Sequence, residues 1–270
     1  MVGMKRLVSI NQKFMELPPN ELIELIDKYT DGIEAYIDYN EPSEMSYLDT
    51  LMPLLFERGL HFQIHGMSDL SLDKQEDYLA HVSQFRTVNE KVSVTFHPVY
   101  REDKAESVAE TIDYLREIIA FAKDKMPQYE ILLENLNDWD GMHRLKLYEE
   151  RDIVSQLPEL ALTYDIGHVV ADGATDAIKD VIAPVDSFRS LIKNLHIHTC
   201  EDAVVDHQPI YAGDKNWETI IGSLSGLSDI PTVVFEYDLL VCKGETTREK
   251  IIDYLETIAP VMNAAKLVLG

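Results

Sequence analysis

Four successive apolar runs from Ile131 onward each lead into a residue that could bind a metal ion. Ile131-Leu132-Leu133 is followed by Glu134, Leu162-Thr163-Tyr164 by Asp165, Leu195-His196-Ile197 by His198, and Val233-Val234-Phe235 by Glu236. Two glutamates, an aspartate and a histidine form a mixed oxygen and nitrogen donor set suited to manganese, magnesium, cobalt or zinc. Taken singly, each residue has a plainer reading. Asp165 could cap the next helix, Glu134 with Asn135 could cap a loop, and a histidine at a strand end is often only hydrogen-bonded. The series at one end of four strands is what points to a metal site.

The histidines sharpen the pattern. Of nine, His65, His97, His168, His196, His198 and His207 fall at a strand end or in the loop directly after one. His61 opens a strand, and His81 and His143 sit in helical runs. His196 and His198 share a strand face because their spacing is two. His198 is nearer the rim and is the expected ligand, with His196 deeper, supporting the site or packing in the core. His65, His97, His168, His196 and His207 are candidates for a second metal or for hydrogen bonds to a substrate. Phe14, Tyr39 and Trp217 are available to wall a pocket.

Such convergence requires a scaffold that gathers strand ends. Strand-like runs occur at Leu7 to Ile10, Gly32 to Ile37, His61 to His65, Val92 to His97, Glu130 to Glu134, Leu160 to Asp165, Asn194 to His198 and Thr232 to Glu236. Helical runs lie between them. Pro18-Pro19-Asn20 precedes a helix over Glu21 to Tyr29, and prolines are tolerated in a first turn. Val108, Ile112, Leu115, Ile119 and Ala122 form an apolar stripe within Lys104 to Lys125, and a final helix spans Thr247 to Ile258. Eight strand-helix units predict an α/β fold, a single (β/α)₈ TIM barrel over residues 1–270, with its site at the C-terminal strand ends. A doubly wound sheet would carry a glycine-rich phosphate loop after an early strand, but the first turn reads Asn11-Gln12-Lys13-Phe14. No organic cofactor is expected.

Composition excludes several classes. At 270 residues and 46% apolar content, the chain can bury a large core. Cys200 and Cys242 give no disulfide framework and read as bystanders to an oxygen-rich site. Met1 to Ile10 lacks a leader pattern and no apolar run is long enough to span a bilayer, so a soluble, cytoplasmic protein is the expectation. The net charge of −24 disfavours nucleic acid as a partner.

The series Glu134-Asn135, Asp165-Ile166-Gly167-His168, His196-Ile197-His198 and Glu236, preceded by His65 and His97, resembles the xylose isomerase-like barrel superfamily along essentially the whole chain. That group includes sugar phosphate isomerases/epimerases, ketose 3-epimerases, inosose dehydratases and apurinic endonucleases. The resemblance implies that Glu134, Asp165, His198 and Glu236 hold one divalent ion and that Glu134 and Glu236 also move protons. In the endonuclease branch, the positions matching His65, His97, His168 and His207 join those four in a three-zinc cluster. The chain departs from that pattern at Val205, where an aspartate ligand is expected, and at Tyr211, which replaces a glycine. The loop also lacks the arginine that epimerases often place near substrate; Lys215 is the nearest cation.

The implied activity is metal-dependent isomerisation or epimerisation of a carbohydrate. An ion would chelate a carbonyl and a neighbouring hydroxyl and stabilise the enediolate that forms. One glutamate removes the carbon-bound proton and the other returns one. The rivals are a multinuclear zinc phosphodiesterase of the apurinic endonuclease type and a non-catalytic sugar-binding barrel. Related barrels also form dimers and tetramers, with which the apolar helices are compatible.

Overall fold

The structure is a computed structural model that describes residues 4–66, 71–99, 101–136, 153–200, 207–211, 213–237 and 248–269. Eight parallel strands form a closed barrel in sequence order: β1 (Lys5–Ile10), β2 (Gly32–Ala35), β3 (His61–His65), β4 (Val92–Phe96), β5 (Tyr129–Glu134), β6 (Ala161–Asp165), β7 (Ile192–Ile197) and β8 (Thr232–Phe235). Closure comes from β8 pairing with β1, with Lys5 opposite Thr232 and Val8 opposite Phe235. The expected (β/α)₈ barrel is therefore present. Ile37, His97, His198 and Glu236, expected as strand ends, lie just beyond them. The chain stays aligned there, because the Glu236 N–H still donates to the Ile197 carbonyl at 3.0 Å.

The strands are buried almost throughout, since helices cover one face and the barrel interior takes the other. Helices Pro19–Tyr29, Pro42–Arg58, Leu72–Val82 and Lys104–Lys125 follow the first four strands. The Asp103 side chain starts the last of these by accepting from the Glu106 N–H at 3.0 Å. The stripe predicted within it buries Ile112, Leu115 and Ala122, while Val108 and Ile119 pack partly buried. The final helix is longer than expected. Arg248–Leu269 continues through Pro260, which lacks an N–H donor and therefore interrupts the helical bonding. Burial of Val261 against the core helps offset that loss.

The barrel interior is unusually polar. Gln63 donates to Thr232 at 3.4 Å, Thr95 and Thr163 share a 2.7 Å hydrogen bond, and Asn194 donates to Glu34 at 3.1 Å. These bonds join non-neighbouring strands across the barrel, where stacked Val, Ile and Leu are common. At the opposite end from the site, Arg6 brackets Asp31, with Nε 3.0 Å from Oδ2 and Nη2 3.1 Å from Oδ1. No described helix is long and apolar enough to cross a membrane.

Candidate functional site

Glu134 ends β5 and Asp165 ends β6, both fully buried. Asn135 ties the two strand ends together. Its Oδ1 accepts the Asp165 N–H at 2.8 Å and its Nδ2 donates to the Asp165 carbonyl at 2.9 Å. The Asp165 carboxylate caps the short helix Ile166–Ala171 through the His168 N–H at 2.9 Å, which fixes one oxygen and leaves Oδ2 facing inward.

Three histidines are oriented by main-chain carbonyls. Nδ1 of His65, His168 and His198 lies 3.2, 2.8 and 3.1 Å from the carbonyl oxygens of Gly66, Asn135 and Thr199. A carbonyl only accepts, so Nδ1 carries the proton in His65 and His168 and a neutral ring there keeps its lone pair on Nε2, whereas Nδ1 of His198 also faces the His207 N–H at 3.0 Å. Nε2 is the nitrogen a metal needs. His65 and His97 each bring Nε2 to 3.3 Å from Glu134 Oε2, and His198 Nε2 lies 3.3 Å from Asp165 Oδ2. His207 stacks on His198 with centroids 4.2 Å apart and has a φ of 51°, in the region a bulky residue rarely adopts.

His196 occupies the centre. Its Nδ1 hydrogen-bonds Glu134 Oε1 at 3.2 Å and lies 3.1 Å from Glu236 Oε2, while Nε2 is 3.0 Å from Glu34 Oε1. Burial opposes the imidazolium, but the Glu34, Glu134 and Glu236 carboxylates outweigh it and hold His196 well above the ordinary imidazole value. Burial would raise Glu134 and Glu236, yet His196 and the neighbouring histidines bring both well below the usual carboxylate range. Burial lowers His168, favouring its neutral form.

Among the described residues, four sets bring ligand atoms within 4.8 Å of one another. They are Glu134, Asp165, His196 and Glu236; Asp165, His168, His198 and His207; His65, His97 and Glu134; and Glu34, His65, His196 and Glu236. The nine residues predicted from sequence thus meet in one region. In the set holding both Glu134 and Glu236, however, the histidine is His196 rather than His198, which groups with His168 and His207 across Asp165. Both project inward, and the deeper ring is the one lying between the glutamates.

The donor atoms suit a divalent ion. Glu134 Oε2, Asp165 Oδ2, His198 Nε2 and Glu236 Oε2 are buried yet make no hydrogen bond. Orphaned buried acceptors are costly, and a cation satisfies several at once. Above them opens a cavity of about 530 Å³ lined in part by Tyr36, Glu41, His65, His97, Glu236 and Tyr237.

Several sequence expectations shift here. Phe14 is fully buried, edge-on to Tyr254, and Tyr39 and Trp217 pack on the core, so none of the three lines the cavity. Tyr36, edge-on to His65 at 5.0 Å, and Tyr237 take that place. A tyrosine one or two residues past a strand was the available signal. Glu34 was missed as well; a lone acid inside the second strand was its signal. Lys215 lies in a separate groove with Thr175 and Glu218. Cys200 is half-buried, and its Sγ accepts from Asn216 Nδ2 at 3.5 Å. Cys242, Val205 and His143 lie outside the described residues.

The sequence model of a family described as xylose isomerase-like TIM barrel matches residues 30–258. No curated protein matches the chain in sequence. A solved D-tagatose 3-epimerase-like protein superposes with a TM-score of 0.71 at 19% identity, covering 98% of each chain. D-psicose 3-epimerase from Clostridium cellulolyticum gives 0.67 at 16% identity, covering 98% of this chain and 99% of its own. Endonuclease IV from Thermus thermophilus gives 0.60 at 15% identity, covering 96% and 99%. At these identities the likeness is one of fold.

Proposed function

The chain belongs to the xylose isomerase-like TIM barrel family, and from that premise we propose that it is a divalent-metal-dependent carbohydrate epimerase or isomerase. The observation that carries this reading is the pair Glu134 and Glu236, whose carboxylates both approach Nδ1 of His196 beneath one cavity, at 3.2 and 3.1 Å. Two carboxylates at one point can both bind an ion and exchange protons with a substrate held above it. Sugar epimerases recur among proteins of similar fold, in support.

In this reading Glu134, Asp165, Glu236 and a histidine, His198 or His196, hold the ion. When bound, the ion supplies Lewis acidity to a carbonyl and its neighbouring hydroxyl, acidifying the adjacent C–H. One glutamate takes that proton and the other delivers one. Delivery to the opposite face of the same carbon gives an epimer; delivery to the neighbouring carbon gives an isomer. Tyr36 and Tyr237 wall the cavity and exclude water from the sugar's apolar faces. Reaction in a cytoplasmic setting, on a free or phosphorylated sugar and within a homo-oligomer, completes the reading.

The groups His65, His97, Glu134 and Asp165, His168, His198, His207 favour a second reading, a multinuclear zinc phosphodiesterase. The charge of −24 weighs against a DNA substrate. Elemental analysis of protein purified without chelator, paired with deuterium uptake from D₂O into a panel of ketoses, separates the two. About one ion per chain with deuterium beside the carbonyl supports the epimerase or isomerase. Two or three zinc ions without uptake, and cleavage of abasic DNA, support the phosphodiesterase. An absence of metal overturns both.

A further inference from the structure

Glu34 is a fully buried carboxylate in the middle of β2, below the rim where metal-binding residues gather. A buried charge of this kind costs several kcal/mol unless it is well paired, and an apolar side chain of similar size would commonly fill the barrel at least as stably. Both its oxygens are directed at one face of β7. Oε2 accepts from Asn194 Nδ2 at 3.1 Å, and Oε1 lies 3.0 Å from Nε2 of His196. Asn194 and His196 are two residues apart on that strand and so share its inward face.

His196 consequently has a carboxylate beside each nitrogen. Glu34 meets Nε2 from below, and Glu134 and Glu236 meet Nδ1 at 3.2 and 3.1 Å. An imidazole turned over about its Cβ–Cγ bond exchanges nitrogen for carbon at both edges. With a carboxylate at each edge, one orientation is retained. We propose that Glu34 is a positioning residue that acts through His196, locking the ring so that Nδ1 spaces and orients the Glu134 and Glu236 carboxylates. The metal-binding part of this assignment rests on the proposed function, whereas the ring orientation does not. Partners of this kind, one bond removed from a metal's ligands, change affinity by about 10- to 100-fold when removed.

Glu34→Gln tests the assignment, because glutamine keeps the volume and an acceptor for Asn194 while removing the carboxylate at Nε2. A crystal structure of the metal-free variant is expected to show the His196 ring turned or withdrawn from Glu134 and Glu236. Cobalt titration should give a Kd about 10- to 100-fold weaker than the parent's. With a turned-over ketose, kcat should fall while KM holds, a split that loss of folded protein does not produce. A ring left in place, with cobalt affinity within about twofold of the parent, overturns the proposal whether or not any sugar reacts. Weaker cobalt binding by the variant, with a parent that turns over no sugar, would sustain Glu34's role and sink the epimerase reading alone. Should Glu34→Gln not fold, Asn194→Ala removes only the second support of Glu34. It is expected to move ring and affinity in the same direction, and an unchanged ring and Kd there would likewise overturn the assignment.

Discussion

Asn135 holds Asp165 by both sides of its main chain, accepting its N–H at 2.8 Å and donating to its carbonyl at 2.9 Å. One side chain thereby replaces the ladder bonds lost where β5 and β6 end. Asn135→Ala leaves two buried backbone groups unsatisfied, and each such loss costs about 1–3 kcal/mol. Urea unfolding should show destabilisation of that order. Metal affinity should fall with it, because Asp165 and His168 lose their fixed geometry. Unchanged unfolding would mean that water takes over both bonds.

Gly167 sits against the His198 ring. A Cβ built there would meet Nε2 at 2.3 Å and Cδ2 at 2.4 Å, closer than side chains pack. Gly167→Ala must therefore push His198 aside. We expect a destabilisation of about 1–3 kcal/mol from overpacking, and weaker metal binding by isothermal calorimetry. Parent-like metal affinity would exclude His198 from the ligand set.

The two glutamates differ in exposure, since Glu134 is fully buried and the Glu236 side chain is 11% exposed. Replacing either with glutamine keeps the shape but removes a base. Glu134→Gln and Glu236→Gln should each lower solvent deuterium exchange into the accepted ketose on the order of a hundredfold or more. Exchange at the parent rate in both variants would remove the two-carboxylate mechanism.

Far from the site, Arg6 sets a pH dependence of stability. Burial would raise Asp31, but hydrogen bonds and charge from Arg6 outweigh it and hold the carboxyl below its ordinary value. A depressed carboxylate contributes stability above its unfolded pKa, and loses it as pH falls through the folded one. Asp31→Asn should thus be less stable than the parent at about pH 7 by about 1–2 kcal/mol. The gap should close below about pH 4. A gap that persists at about pH 2 would assign the effect to shape rather than charge.

The barrel was readable because each strand is a separate apolar run and each rim residue stands at its end. Glu134 and Asp165 end their strands as expected, and His97, His198 and Glu236 each follow theirs by one residue. The depth order of His196 and His198 was read from their positions, but which ring lies between the glutamates was not. Alternation places both on the inner face, but only closure of the barrel decides which ring reaches the two glutamates. Glu34 and Asn194 were hidden for a related reason. A polar residue inside a four- or six-residue strand resembles a solvent-facing position until strands β2 and β7, remote in sequence, face each other across the interior. Phe14 misled in the other direction, since an aromatic after the first strand fits a pocket wall as well as the core cluster it joins.

Closure of the barrel also dictates when the site can exist. Glu34, Glu134, His196 and Glu236 arrive on or beside β2, β5, β7 and β8, and β8 is held by β1 as well as β7. A chain emerging from the ribosome has its first five strands long before Glu236 is made. The set that joins Glu134 to Glu236 through His196 is then still open, whichever strands have already paired. Completion of that set is therefore a mark carried only by chains whose last strand has found the first.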